Sequence, residues 1–298
     1  MSEIIEIRQA EMLQAINRSE IDMQVATAKA YPRDIQQVLN KISTYAKMDK
    51  ATAEECFYVL RRGSNTGSNS VIEGISVRLA EIIAGAWGNM RVQTRIIGND
   101  GKTITAQGVC HDLETNLAVS VEVKRRITDK NGKTYSEDMQ VVTGNAAAAI
   151  AFRNAVLKVV PKAVTKKVID DVKQVAIGKS IDLETSRQNV IAYFAKLGVT
   201  EQMLLEYLGI PRREQIDADA LYQLRGTRNA IEEGTTTVEE TFIKPMEEKK
   251  QAEAAKRKAE ENKAKAEAAM AKARATKKTT PSNVDEATGE IMPEGESK

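Results

Sequence analysis

Residues 71–92 constrain the fold of this chain more than any other segment. Their sequence, VIEGISVRLAEIIAGAWGNMRV, combines an early glycine, apolar residues at helical spacing and a closing Trp-Gly-Asn turn. Apolar residues that recur every three or four positions predict an amphipathic helix, and Gly-Asn after such a run predicts a turn. The segment therefore predicts a helix that leads directly into a strand and packs against the edge of a sheet.

Three alternating runs follow this helix and predict an antiparallel β-meander. Alternation of apolar and polar residues with a period of two is typical of strands that bury one face. Turn residues separate the runs, first Gly98-Asn99-Asp100-Gly101 and then the polar stretch 112–116. After a DKNGK turn, another run predicts a fourth strand. The four predicted strands are residues 90–97, 103–111, 118–127 and 134–142.

Helical segments flank the predicted meander. From Asn145 the alternation stops, and NAAAAIAFRNAVLKVV predicts a helix whose alanines allow close approach to the sheet, with Pro161 ending or kinking it. Before the meander, residues 32–48 predict a helix, and residues 55–61 predict a strand that leads into a loop rich in Gly, Ser and Asn. The sequence thus predicts an α+β fold, an antiparallel β-meander flanked by helices.

Changes in composition predict the domain organisation along the chain. The central segment has the mixed composition of a globular core, whereas the C-terminal part is rich in Ala, Glu and Lys and then in Pro, Ser, Gly and Glu, as in disordered tails. The predicted regions are an N-terminal helical region 1–54, a core 55–180, a small helical module 186–242, a charged helix 245–278 and a disordered acidic tail 279–298.

The charge of the chain is concentrated in its centre. Residues 56–180 carry 18 basic and 11 acidic residues, although the whole chain has a net charge of only +2. A local excess of positive charge attracts polyanions whatever the net charge of the whole protein. The distribution indicates a polyanionic partner, without identifying it as DNA.

The sequence argues against an enzyme. His111 is the single histidine, and Cys56 and Cys110 are too few for a zinc site or a disulfide framework. No GxxxxGK[ST] phosphate-binding loop is present, which disfavours an ATP-driven recombinase. We therefore predict no catalytic residues, no metal and no cofactor, while a nuclease with carboxylate-bound magnesium stays open as an alternative. Without an apolar run of membrane-spanning length or a secretory signal, we expect a cytoplasmic protein.

Several motifs resemble those of the phage recombinases of the single-strand annealing superfamily, which contains the RecT, Red-beta and ERF groups and the Rad-fifty-two annealing domain. The resemblance covers about residues 55–180. It is carried by Glu73-Gly74 with Val77, Leu79-Ala80, the cluster 87–89, and Tyr135-Ser136-Glu137-Asp138 before the alanine-rich basic helix.

The resemblance implies a function and partners for this chain. It implies ATP-independent binding of single-stranded DNA and annealing of complementary strands in phage-type homologous recombination. It further implies a homo-oligomeric ring or filament in a bacterial host cell, with a phage exonuclease or a host single-strand-binding protein as further partners. A second class stays open, namely an oligomer that coats single strands or regulates DNA without annealing activity.

Eight basic residues are candidates for DNA contacts. Arg153 is the first, because the resemblance aligns it with a DNA-facing basic position; the alternatives are a plain surface residue or an ion pair with Glu137 or Asp138. Successive strand residues point to opposite faces, so at least one of residues 124–126 must face away from the other two, whereas residues 91 and 95 share a face. The eight candidates are Arg153, Lys158, Lys124, Arg125, Arg126, Arg78, Arg91 and Arg95. Trp87 is predicted to fill the core rather than to stack on bases.

Overall fold

The computed structural model describes residues 2–62, 70–129, 131–177 and 183–277. Most of the predicted Gly/Ser/Asn loop and the predicted acidic tail lie outside these ranges. The strands are β1 Phe57–Arg62, β2 Ser70–Ile75, β3 Met90–Asn99, β4 Thr103–Asp112 and β5 Leu117–Arg126. The helices are α1 Ser2–Ala30, α2 Ile35–Ala46, α3 Lys50–Glu55, α4 Val77–Trp87, α5 Glu137–Val159, α6 Lys162–Ile177, α7 Leu183–Lys196, α8 Glu201–Leu208, α9 Ala218–Glu232 and α10 Lys244–Lys277.

The described strands form two antiparallel sheets, so the fold is α+β as expected. Strands β3, β4 and β5 pair in sequence order, which confirms a meander, and β1 pairs with β2 in a separate hairpin. Strand β2 corrects the prediction of a helix that starts at the early glycine, because Gly74 and Ile75 belong to this strand. Helix α4 begins only at Val77, where the Ser76 hydroxyl accepts a hydrogen bond from the N–H of Leu79 and caps the helix.

The predicted fourth strand of the meander is wrong. Thr134 makes an isolated bridge with Thr128, and helix α5 begins three residues later, at Glu137. The Ser136 hydroxyl accepts from the N–H of Met139, and two acidic residues occupy the first turn, where they interact favourably with the helix dipole. These capping signals outweigh the strand-like alternation, and the meander has three strands.

Helix α5 covers one face of the meander at unusually short range. A Cβ atom built on Gly108 would overlap the carbonyl oxygen of Ala151, so the helix backbone rests directly on β4. Ala106, Ala147 and Ala151 are completely buried at this contact. The alanine row predicted from the sequence is therefore the surface through which α5 meets the sheet.

The helical module packs on the β1–β2 hairpin. Asn229 on α9 donates hydrogen bonds to the carbonyl oxygens of Glu54 and Phe57, and the ring of Tyr222 stacks on Phe57 with centroids 4.0 Å apart. Residues up to Pro245 form one compact unit, and α10 continues beyond it; its side chains from Glu247 to Met270 are exposed, as predicted for a charged helix. No described helix combines the length and apolar character needed to cross a membrane.

A buried ion-pair network fixes the connection between α1 and α2. Arg33 pairs with Asp112 and with Glu114, and its guanidinium lies 4.6 Å from the centroid of the Trp87 ring. The indole N–H of Trp87 donates to Asp112 at 3.1 Å, so Trp87 is a core residue, as predicted. Burial raises the pKa of Asp112, but the hydrogen bonds from Arg33 and Trp87 outweigh it and hold this pKa well below its ordinary value.

Candidate nucleic-acid interface

The face of the meander opposite α5 is the candidate interface. On β4 the even-numbered residues from 104 to 112 are buried, and on β5 the even-numbered residues from 118 to 126 are exposed. Gln107 pairs with both Arg95 and Glu122, and directly paired residues share a face. We define the open face as Arg91, Gln93 and Arg95 on β3, Thr103, Thr105, Gln107, Val109 and His111 on β4, and Ala118, Ser120, Glu122, Lys124 and Arg126 on β5.

Four of the eight candidate residues lie on this face. Arg91 is in the row of His111 and Ala118 and thus at one end of the sheet, whereas Arg126 pairs with Thr103 at the other end. Arg95 and Lys124 lie between them. The rows of Arg91 and Arg126 are eight residues apart along β4. At about 3.4 Å per residue, the four cations therefore extend over ~27 Å along the strands, and we name them the basic track.

The cations of the track are available to an external anion. Arg95, Lys124 and Arg126 are exposed, and Arg91 is half-buried, with its guanidinium donating to Gln24 Oε1 on α1 at 3.2 Å. Among the described residues, no ion pair engages any of the four. Glu122 is the one carboxylate among the residues of the open face, so the face carries a clear excess of positive charge.

The open face has no Phe, Tyr or Trp among its residues. Proteins that grip single strands by stacking use aromatic rings, whereas cationic side chains contact the phosphates and leave the base edges free. The polar neighbours Gln107 and Ser120 add hydrogen-bonding groups between the cations. The arrangement favours a contact with the backbone of a nucleic acid over a contact with its bases.

Arg125 lies on the other side of the sheet from Lys124 and Arg126, which confirms that the three consecutive cations cannot share one face. Its guanidinium donates to the carbonyl oxygen of Thr235 at 3.4 Å. Burial lowers the pKa of Arg125, in contrast to a solvated arginine. Arg125 therefore belongs to the layer between the sheet and the helical module.

Arg153 does not lie on an open surface, in contrast to the expectation for a groove residue. Its side chain is only 7% exposed, and its Nη1 atom lies 3.4 Å from Glu233 Oε2. The guanidinium also stands over the ring of Tyr58, with Cζ 4.8 Å from the centroid. Arg153 is buried because Glu233, which follows the end of α9, lies beside it on α5. The ion-pair partner of Arg153 is therefore neither Glu137 nor Asp138.

Burial disfavours the ionised form of Glu233, the partner of this arginine. Burial raises the pKa of Glu233 to about 7, although the N–H of Val77, which donates at 2.6 Å, and the charge of Arg153 favour its ionised form. Arg78 lies near this site on α4, where it is exposed and pairs with Glu81 at 3.0 Å. Since Arg78 has carboxylate neighbours, it does not extend the basic track.

Lys158 is exposed in the last turn of α5. Helix α5 lies on the covered side of the meander, so Lys158 is in a different layer from the open face. The structure therefore brings together Arg91, Arg95, Lys124 and Arg126, and it leaves Arg78, Arg125, Arg153 and Lys158 elsewhere.

Metal or thiol chemistry finds no support in the described part of the chain. His111 lies on the open face with Nε2 3.0 Å from Asn116 Oδ1, and the described residues contain no group of three His, Cys, Asp or Glu that could hold a metal ion. Cys56 and Cys110 are buried and free, and burial raises the pKa of each thiol to about 12. A thiol of such high pKa is a poor nucleophile at neutral pH.

Comparison of the chain with protein-family models, with curated proteins and with solved structures gave no match. The function of this chain is therefore inferred from the geometry of the open face and from the resemblance of residues 55–180 to annealing recombinases.

Proposed function

We propose that this protein binds single-stranded DNA along the basic track of the open face and anneals complementary strands without ATP, as a homo-oligomer in phage-type recombination in a bacterial cell. The observation that carries the proposal is the set of four cations, none of which forms a salt bridge among the described residues, on one sheet face without Phe, Tyr or Trp. The other properties follow from the resemblance of the central segment to annealing recombinases.

This surface meets the two physical requirements of annealing. Two complementary strands repel each other through their phosphates, so an annealing protein must neutralise the backbone and still leave the base edges accessible. A track of ~27 Å corresponds to about eight nucleotides at a rise of 3.4 Å each. Cations spread along such a length can contact successive phosphates of one strand while its bases face solvent.

Repetition of this surface would convert a weak contact into a strong one. Four cations per chain give a modest, salt-sensitive affinity, whereas an oligomer that places many tracks along one strand multiplies the contacts. An oligomer that only coats single strands would have the same dependence on salt. The two functions differ in whether the bound strand is presented to its complement.

An annealing assay tests the proposal. Complementary fluorescent oligonucleotides are mixed without ATP, with wild-type protein or with a charge-reversal variant, Lys124→Glu/Arg126→Glu. We expect wild-type protein to accelerate duplex formation, and the variant to lose more than tenfold in both single-strand affinity and annealing rate. The matched control is Lys166→Glu/Lys167→Glu, which makes the same charge change at exposed positions of α6.

Two outcomes would overturn parts of the proposal. Equal losses in the variant and its α6 control would show that net charge matters and the open face does not. Tight binding by wild-type protein without acceleration of duplex formation would replace annealing with the coating function.

A further inference from the structure

The basic track changes from one strand to another in the middle of the sheet. Its two β5 cations, Lys124 and Arg126, pair with the first two open-face residues of β4. Its two β3 cations, Arg91 and Arg95, pair with residues in the middle and at the other end of β4. A strand of DNA that contacts all four cations therefore has to cross β4.

Glu122 lies at the position where the basic track leaves β5. It is two residues before Lys124 on the same face, and Gln107 pairs with Glu122 on one side and with Arg95 on the other. The side chain of Glu122 is exposed and forms neither an ion pair nor a hydrogen bond among the described residues. No contact within the described part of the chain thus accounts for the one carboxylate of the open face.

The spacing of the strands offers two routes to a DNA backbone that arrives from Lys124. Two residues along a strand span ~6.8 Å, so Lys124 is as close to Glu122 as to Arg126. Across the sheet, two strand spacings separate Glu122 from Arg95 by ~10 Å. A backbone that continued along β5 would bring its next phosphate to the carboxylate of Glu122, whereas a backbone that crosses β4 approaches the guanidinium of Arg95.

The charges along the two routes favour the crossing. The Debye length at physiological ionic strength is about 8 Å, so a carboxylate ~7 Å from a phosphate at Lys124 is incompletely screened. Beyond Glu122, the open-face residues of β5 are Ser120 and Ala118, which carry no charge to attract a phosphate. On the crossing route, the amide of Gln107 can donate to a phosphate, and the cations of β3 follow.

We propose that Glu122 is a positioning residue that determines the path of the bound single strand. It excludes phosphates from the half of β5 that begins at Glu122, and it directs the backbone from Lys124 over Gln107 to Arg95 and Arg91. This inference rests on the proposed function, single-strand binding by the open face. It adds that the strand runs obliquely over the sheet, and that the phosphate contact of Arg95 depends on a carboxylate ~10 Å away.

A double-mutant cycle with the full chain tests the path. Glu122→Lys replaces the repulsive charge with an attractive one, so that β5 alone presents three cations in line. Fluorescence anisotropy measures the affinity for an oligonucleotide of about eight nucleotides, which matches the track of one chain. Arg91→Ala/Arg95→Ala should weaken this affinity more than tenfold in the wild-type background. In the Glu122→Lys background the same change should cost less than about threefold, because the strand can then follow β5.

Two controls separate the path from the net charge. Lys124→Ala/Arg126→Ala is the matched change on the other half of the track, and it should cost more than tenfold in both backgrounds because either path uses these cations. Glu206→Lys makes the same charge change at an exposed position of helix α8. In the Glu206→Lys background, Arg91→Ala/Arg95→Ala should keep its full cost.

An equal cost of Arg91→Ala/Arg95→Ala with and without Glu122→Lys would overturn the path, since Glu122 would then act only by general repulsion. A reduced cost in the Glu206→Lys background would attribute the effect to net charge and overturn it as well. If Glu122→Lys does not fold, Glu122→Gln, which removes only the repulsion, should reduce the cost at least twofold. Failure of the path leaves binding by wild-type protein intact. Failure of the proposed function would appear instead as wild-type protein that binds no single strand, and it would remove the path too.

Discussion

The two faces of the β3–β4–β5 sheet differ in what covers them. On the covered face, Gly108 meets the backbone of Ala151, and Arg125 hydrogen-bonds to protein. On the open face, Lys124 and Arg126 flank Arg125 in sequence and have no ion-pair partner among the described residues. Neighbouring cations of one strand therefore have different roles, which depend on the layer that each side chain faces. The number of cations in a segment does not define a binding site.

The largest expected effect is on the covered face, at Gly108. Gly108→Ala places a methyl group against the Ala151 carbonyl, and overpacking against backbone is expected to cost about 3 kcal/mol in the free energy of unfolding. Denaturant unfolding measures it. The matched change on the open face, Ser120→Ala, should stay within about 0.5 kcal/mol. Equal stability of the two variants would contradict the close contact with α5.

Arg153→Ala tests whether this residue serves the fold or DNA. Removing one partner of a buried ion pair leaves an isolated carboxylate, so we expect a loss of about 2 to 3 kcal/mol in unfolding free energy. The loss should be larger at pH 8 than at pH 5, where Glu233 is protonated. An Arg153→Ala variant with wild-type stability and weakened DNA binding would show instead that Arg153 contacts DNA.

Neighbouring residues 125 and 126 offer the sharpest contrast between the faces. Arg126→Ala should weaken single-strand affinity about fivefold, equivalent to about 1 kcal/mol, with an unchanged unfolding midpoint. Arg125→Ala should lower the midpoint and leave the affinity of the folded protein close to that of wild type, because its guanidinium bonds to Thr235. Fluorescence anisotropy and thermal melting measure both quantities, and the reverse pattern would invert the assignment of the faces.

The contribution of Glu233 to stability should depend on pH. Its pKa in the folded state, about 7, lies above the ordinary value of 4.5, so its stabilising contribution is complete below pH 4.5 and is lost as the pH rises through 7. Between these limits, wild-type protein should lose more stability than Glu233→Gln, as melting at several pH values would show. A greater loss in the variant would mean that the Arg153 ion pair outweighs burial.

Local patterns in the sequence predicted much of the sheet but not its hairpin partner. The turn at Gly98-Asn99-Asp100-Gly101 and the period-two runs identified β3, β4 and β5. Strand β2 was missed because its pairing with β1 depends on residues that the short-range pattern does not contain. The predicted fourth strand is wrong because the cap at Ser136 starts helix α5 within the alternating run.

Strand alternation predicted only which candidate residues of one strand share a face of the sheet. Alternation indicated that Arg91 and Arg95 share a face and that residues 124–126 divide between two faces. Which face stays open depends on the packing of α5, a tertiary contact that the alternation does not contain. The burial of Arg153 was missed for a similar reason, since its partner Glu233 lies 80 residues further along the chain.

The salt dependence of single-strand affinity shows whether the four cations of the open face contact phosphates. A quadruple alanine variant at Arg91, Arg95, Lys124 and Arg126 is compared with wild-type protein and with an alanine variant at exposed Lys158, Lys162, Lys166 and Lys167. Each phosphate contact contributes roughly 0.7 to the slope of log affinity against log salt on single strands, so the open-face variant should lose about 2.8 from the slope of a single bound chain. The control should keep the wild-type slope. An open-face variant with the wild-type slope would contradict the assignment of this face as the DNA interface.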